Sequence, residues 1–446
     1  VPSQTEIAPQ TLGLGTAAAP RLQEGWWSAF GDPQADRLIA LLLKDNPTLQ
    51  GALARIRAAQ AELSVQRAES YPQFSINGQE QRGLLTNAYG LLPPYGGSWR
   101  WVGNAQANIS WSLDFWGKQS AQIDQARGLA LAAGLDAAAA RLALTGTFAQ
   151  TYIDLALAWQ NVDIAYETVA ERQTILDLTQ SRVTAGLENE ASLEQAKALL
   201  AMSRIEVRRA EVQRDMGIHA IAALVGQGAG AYGTITRPAA ALENALPLPE
   251  SLPADLLSRR PDIAAAHARI RAAVRGRDAV HADFYPNINL SAAIGFQALG
   301  LSNLFTSDAL TMGAGPAIHL PIFDAGKIRA GYARATADLD ASVADYNAAV
   351  VGAVRQTADA LTQVASLADQ RVQQQLALDS AGRAFKLAEE RYRLGLSGQI
   401  PMLTAESTLL AARQQMAALV AQAAAQRVTL LLSVGGGFTM DEEPKP

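Results

Sequence analysis

Apolar residues change their period several times along the chain, and each change marks an element. Leu38–Leu43 and Pro47–Glu69 carry helical spacing, with Asn46 suited to an N-cap and Pro47 to the first helical position. The period then drops to two. Ile288, Leu290, Ala292, Ile294 and Phe296 alternate with Asn287, Asn289, Ser291, Ala293 and Gly295. Ile109, Trp111, Leu113 and Phe115 alternate with Asn108, Ser110, Ser112 and Asp114. Phe74-Ile76-Gly78 and Ala314-Pro316-Ile318-Leu320-Ile322 are weaker versions, the second made less secure by its proline. Strands are therefore predicted over about 72–82, 102–115, 286–297 and 312–323. Each is long enough to cross a bilayer at a tilt, and a half-buried hairpin in water fits the alternation as well. Gly/Pro/Tyr-rich connectors, Arg82–Arg100 and Gln297–Thr311, join them.

A heptad seam follows. Phe148, Tyr152, Leu155, Trp159, Val162, Tyr166 and Val169 are spaced alternately by four and three, with Leu176 and Val183 each seven further on. Leu361, Val364, Ala368, Leu378, Phe385 and Tyr392 keep the phase in the second copy, and the aromatic residues Tyr152, Trp159 and Tyr166 are expected as core knobs. Long helices are predicted over about 117–185 and 326–394, each a rod of about 100 Å. Tight turns at Gly186-Leu187 and Gly395-Leu396 lead into return helices over about 191–226 and 400–434.

The two series are copies of one another. Ala54-Arg55-Ile56-Arg57-Ala58-Ala59 recurs 214 positions later as Ala268-Arg269-Ile270-Arg271-Ala272-Ala273, and Pro47/Pro261 and Tyr71-Pro72/Tyr285-Pro286 keep that offset. Gly117-Lys118/Gly326-Lys327 and Gly186-Leu187/Gly395-Leu396 are 209 apart, so a loop of variable length lies between the strands of each half. The organisation read from this is an extended segment 1–32, a first repeat 33–227, a Gly/Ala/Pro-rich linker 228–253, a second repeat 254–437 whose opening helices cover about 254–284, and a tail 438–446.

Composition narrows the function. Hydrophobic residues make up 49% and charged residues only 18%, the net charge is -5, and cysteine is absent. The charge balance gives no support for a nucleic-acid binder, and disulfides, thiolate metal sites and cysteine nucleophiles are excluded. His219, His267, His281 and His319 show no metal-ligand spacing, and Glu389-Glu390 falls on a solvated helix face. Gly228-x-Gly230-x-x-Gly233 follows a helix rather than a strand and reads as linker. No enzyme, cofactor or metal is expected. No run of 18 apolar residues predicts a transmembrane helix, and Val1–Pro20 has no signal-like pattern. The mean hydropathy of +0.02 suits a barrel in which alternate residues face lipid. Four strands cannot close such a barrel, and open edges in lipid leave backbone groups unpaired, so several copies must share one; three would supply twelve strands. Trp99, Trp101 and Trp111 are candidate membrane-interface anchors, with ordinary packing as the alternative.

Trp26-Trp27-x-x-Phe30-x-Asp32-Pro33, Arg260-Pro261-Asp262-Ile263, Tyr285-Pro286, Pro321-Ile322-Phe323-x-x-Gly326, Arg391-Tyr392-x-x-Gly395 and Gly435-Gly436-Gly437 together resemble the TolC family of outer-membrane efflux ducts, close to its lipoprotein branch. The resemblance implies a mainly α, internally duplicated fold: coiled-coil hairpins forming an α-barrel, with four strands per protomer in a shared twelve-stranded trimeric β-barrel. It implies a homotrimer in the outer membrane of a Gram-negative bacterium, in contact with outer-membrane lipid and extending into the periplasm. A periplasmic adaptor and an inner-membrane pump of the RND type would open the tip, which offers Gly186, Leu187, Gly395 and Leu396 for docking. Exported small molecules would be drugs, toxic compounds or metal ions.

The matching gate positions depart from the family. Its aspartate rings correspond to Pro401 and Thr404, with Glu406 nearby, so Leu403 or Leu396 is an equal candidate for the constriction. The family tyrosine matches Tyr392, but the arginine a few residues on is Ser397, so fewer polar links are expected to hold the closed tip. The branch's lipidated N-terminal cysteine has no counterpart in this chain, and either its removal or its true absence fits, so a lipid anchor stays open. Two alternatives stand: a duct for type I protein secretion, and a soluble periplasmic coiled-coil scaffold or adaptor.

Overall fold

The computed structural model describes residues 25–89, 94–239 and 260–438. Most of the predicted N-terminal segment, the linker beyond residue 239, the helix start at 254–259 and the tail beyond Phe438 lie outside them. The chain divides into two compact units, one of residues 1–53, 135–264 and 348–446, the other of 54–134 and 265–347.

The elements, in order, are α1 (Pro33–Asp45), α2 (Pro47–Glu69), β1 (Gln73–Leu84), β2 (Trp99–Leu113), α3 (Lys118–Thr184), α4 (Glu190–Leu224), α5 (Pro261–His281), β3 (Asn287–Leu299), β4 (Leu310–His319), α6 (Lys327–Arg393) and α7 (Gln399–Ser433). The duplication is visible in their lengths: α3 and α6 each have 67 residues, and α4 and α7 each have 35. The length difference between halves falls in the hairpin connections, 85–98 against 300–309. The Gly228–Gly233 motif forms a 3-10 turn, Ala229–Thr234, with no strand before it.

In the first unit α3 is the hub. Phe148, Tyr152 and Leu155 pack with Leu38, Ile39 and Leu42 of α1 and Ile221 and Val225 near the end of α4. Ala149 and Ile153, one position round the helix, pack with Trp26, Phe30 and Ala421, Ala424 and Val428 of α7. So α3 buries two seams, where the heptad reading predicted one. Tyr166 falls off both; it is exposed, and its hydroxyl donates to Glu211 at 2.8 Å. On α6 the seam runs through Ala360 and Leu367 rather than Leu361 and Ala368, then through Leu378, Phe385 and Tyr392 as expected. A one-residue error turns a helix position by about 100°, enough to move it out of the interface.

The Trp-x-x-Phe-x-Asp-Pro segment is tied in by Asp32, which caps α1 through Gln34 N–H at 2.9 Å. Its other oxygen accepts the Tyr152 hydroxyl at 2.6 Å and the Ala239 amide at 2.8 Å. Asn46 caps α2 through the amides of Thr48 and Leu49, and its side-chain nitrogen donates to the Leu224 carbonyl at 2.7 Å. Gly226 ends this corner at φ +74, and a Cβ there would lie 2.5 Å from the Asp45 carbonyl oxygen. Gly226→Ala adds this clash to the left-handed penalty of about 1–2 kcal/mol, so a clear drop in melting temperature is the expected result.

α3 and α7 each hold an 18-residue window of mean hydropathy 1.3, so both pass for membrane spans by length and composition, contrary to the sequence expectation. Half of the α7 window is buried inside the chain. The close approach of Gly146 on α3 to Leu432 on α7, where a Cβ would lie 2.2 Å from Leu432 Cδ1, shows that helix packing uses these small residues.

The second unit holds one antiparallel sheet in the order β1-β2-β3-β4, paired one to one without bulges. Pro316 sits in β4, an edge strand of the sheet, where a missing N–H is tolerated. Asp114 and Asp324 set the two exits into long helices. Asp114 accepts the amides of Gln119 and Ser120, and Asp324 those of Gly326 and Ile328. These amides hold the Asp324 carboxyl below the usual range.

Candidate functional site

Residues paired across neighbouring strands share a face. One face of the sheet carries Phe74 and Ile76, Trp101 and Ile109, Leu290 and Ile294, and Met312 and Ile318. The opposite face carries Ser75 and Asn77, Asn104, Gln106 and Asn108, Asn289 and Ser291, and Thr311. Large residues on the apolar face are exposed, with Ile76 at 83% and Met312 at 70%. The outer edges of β1 and β4 have no strand partner among the described residues. A sheet with a wet face, an apolar face and two open edges is built to be completed by further strands.

Trp99, Trp101 and Trp111 all lie on the apolar face of β2 and are exposed. Trp111 also donates from Nε1 to the Ser70 carbonyl at 2.9 Å. The sequence reading did not single out further exposed aromatic residues beside the strands as interface candidates. Trp116 stacks on Tyr285 with centroids 4.9 Å apart, Tyr71 and Phe115 are exposed, and Phe323 is 90% exposed. Phe115 was read as the end of a strand, and Tyr71, Tyr285 and Phe323 as repeat or family motifs, so none was marked as an interface residue.

α3 and α6 start at the sheet and end at the two turns. Both turns close alike. Leu187 N–H donates to the Arg182 carbonyl at 2.9 Å and Leu396 N–H to the Arg391 carbonyl at 2.8 Å, with Gly186 at φ +71 and Gly395 at φ +73. Leu187 and Leu396 are exposed beside them, as are Leu394 and Ile400.

Between the turns lies a buried polar cluster. Tyr392 is 0% exposed and packs with Ile175, Phe385, Met402 and Leu409. Its hydroxyl lies 3.2 Å from Thr179 Oγ1. Thr179 donates its one proton to the Ile175 carbonyl at 2.8 Å, so the Tyr392 hydroxyl is the donor of that bond. Gln399 Nε2 donates to the same Thr179 oxygen at 3.1 Å. Arg182 donates to the Tyr392 carbonyl at 3.0 Å, and its guanidinium lies over the Tyr392 ring, 4.7 Å from the centroid. Residues of α3 thus grip both helices of the second hairpin.

Two expectations are corrected here. The polar links that the Ser397 position lacks are supplied from α3 by Arg182 and Thr179, so the cluster is not impoverished. Glu406, expected at the gate, is 2% exposed inside the chain, where Arg172 Nε donates to it at 3.1 Å. Arg172 also donates to the Leu199 carbonyl of α4 at 2.9 Å. Burial pushes the Glu406 carboxyl above the usual range, against the pull of Arg172. Leu403 is half-buried against the Tyr392 cluster, and Thr404 is exposed, its hydroxyl donating to the Ile400 carbonyl.

The family model described as outer membrane efflux protein matches residues 38–227 and 252–436. The chain belongs to this family. It is similar to the fusaric acid resistance protein FusA of Burkholderia cepacia, 35% identical over 317 residues, which is 70% of this chain and 59% of that protein. It therefore matches less than two thirds of FusA's length. It is similar to the pyoverdine export outer membrane protein OpmQ of Pseudomonas putida, 29% identical over 420 residues, covering 93% of this chain and 88% of OpmQ. The solved outer membrane protein VceC of Vibrio cholerae superposes with a TM-score of 0.86 at 30% identity, over 95% of this chain and all of that one. The duplicated hairpins and four-stranded sheet of this outer membrane efflux protein are thus the family fold.

Proposed function

We propose that three copies of this chain form an exit duct in the outer membrane, passively conducting small molecules delivered through a periplasmic adaptor and an inner-membrane pump. The sheet carries the reading. Its apolar face suits lipid, its amide and hydroxyl face suits water, and its open edges would cost several kcal/mol per unpaired backbone group in a bilayer. Three copies pair every edge and enclose a wet lumen. Trp99 and Trp101 at one end of the face, and Trp111 with Trp116 and Tyr285 toward the other, mark the two membrane interfaces.

The turns at Gly186-Leu187 and Gly395-Leu396 offer exposed leucines for the adaptor. Tyr392 acts as the lock between hairpins, with Leu396, Leu403 and Thr404 near the constriction. Opening follows when partners bind the open arrangement more tightly than the closed one. FusA and OpmQ are named for small organic molecules, which supports small-molecule export over protein secretion. A water-soluble scaffold has no use for the exposed apolar face.

The test is membrane fractionation, detergent extraction and mass measurement. A detergent-requiring outer-membrane complex of about three times 47.2 kDa is the expected result. A protein that stays in solution without detergent, or a monomer in the membrane, overturns the shared barrel.

A further inference from the structure

The duct reading decides which face of the sheet meets water, and the strand register then decides which charges the pore wall carries. The polar face of all four strands has no carboxylate. Its neutral lining comes from residues such as Gln79, Asn104, Gln106, Asn108 and Gln297. Its one permanent charge is Arg100, paired with Gly83 on β1, and His319 is the other titratable group, at the opposite end of the sheet. The one acidic strand residue, Glu80, pairs with Gly103 on the apolar face, where Arg82 also lies.

Arg100 is held in place by neutral groups. Nε donates to Ser98 Oγ at 3.1 Å, a terminal nitrogen donates to the Pro94 carbonyl at 3.2 Å, and the guanidinium lies 5.6 Å from the Tyr95 ring centroid. The connection 85–98 contains no acidic residue, and Asp308 is the single one in 300–309. Among the described residues the guanidinium is therefore held at one end of the pore wall by neutral partners, with no carboxylate paired to it.

We propose that Arg100 is a selectivity residue, making the barrel segment favour anionic and neutral small organic solutes over cations. This rests on the duct reading, in which three such guanidinium groups ring one mouth of the pore. Three charges about 10 Å from a permeating ion across water favour an anion over a cation on the order of fivefold at about 0.1 M salt, and more at lower salt. An uncharged wall elsewhere in the barrel leaves that preference unopposed there.

The experiment is the reversal potential of the full-length channel in planar bilayers under a potassium chloride gradient, in an Arg182→Ala background that frees the tip. Arg100→Gln is expected to lower the chloride-to-potassium permeability ratio several-fold, and Arg100→Glu to lower it further. Because both variants share the helical tunnel, its own preference cancels in the comparison. Cysteine is absent from the chain, so Arg100→Cys supplies a single thiol. A cationic methanethiosulfonate reagent should restore the ratio and an anionic one should depress it. Equal ratios for Arg100, Gln and Glu overturn the assignment while leaving the duct intact. Absence of any channel current in both the Arg182→Ala and the Tyr392→Phe backgrounds overturns the duct, and the assignment with it.

Discussion

Arg182→Ala is expected to raise the resting conductance of the reconstituted channel on the order of a hundredfold. The guanidinium, itself half-buried, makes a charged hydrogen bond to the carbonyl of the fully buried Tyr392 and lies over its ring. A charged hydrogen bond contributes about 1.5–3 kcal/mol and a cation–π contact about 0.5–2 kcal/mol. Both join α3 of one hairpin to α6 of the other, and both are lost if the hairpins separate. A closed state weakened by about 3 kcal/mol shifts the closed-to-open ratio by about two powers of ten. Tyr392→Phe should act more weakly. It removes the hydroxyl that donates to Thr179 but keeps the ring beneath Arg182, a loss of about 1 kcal/mol and a leak on the order of fivefold. Single-channel recordings of the two variants give the order. If Arg182→Ala stays as tight as the parent while Tyr392→Phe leaks, the grip lies in the Thr179 cluster and not in Arg182.

Arg172→Leu is expected to destabilise the chain by about 3–5 kcal/mol, because it leaves the Glu406 carboxylate buried without its partner. The pH dependence has a definite sign. Burial raises the Glu406 pKa and Arg172 lowers it, with the net value above the usual carboxylate range. A raised carboxyl binds its proton more readily in the folded chain than in the unfolded one. Its contribution is therefore most favourable at low pH and is lost as pH climbs through the folded pKa. Without Arg172 the folded pKa rises further, so the deficit should be larger at about pH 8 than at about pH 5. Adding Glu406→Gln removes the titrating group and should flatten that difference. Denaturant midpoints of the detergent-solubilised protein at the two pH values measure it. A loss of equal size at both would place the role of Arg172 in its bond to the Leu199 carbonyl instead.

The two variants bear on what could be read before the fold was known. The duplication, the hairpin turns, the four strands and the equal long helices all follow from features within short stretches of chain. Period two makes Asn108–Leu113 and Asn287–Phe296 strands, and glycine permits the left-handed turns at Gly186 and Gly395. Tyr392 was marked by its place three residues before Gly395 in the Arg391-Tyr392-x-x-Gly395 turn signal and by the heptad it ends. The seam residues Leu361 and Ala368 were misplaced by one position, and Tyr166 was placed in a core it leaves, because one helix meeting two sets of neighbours has no single apolar stripe.

The amino-acid sequence by itself determined the elements, their lengths, the repeat and the alternation of wet and apolar faces, because backbone sterics and side-chain periodicity act between near neighbours. Tertiary structure alone decided that Arg182 and Thr179 grip a tyrosine more than 200 positions away, that Glu406 is buried in a pair with Arg172, and that Arg100 is the one fixed charge on the polar face of the sheet. Such pairings depend on helix packing and strand register, which bring together side chains that no local pattern connects.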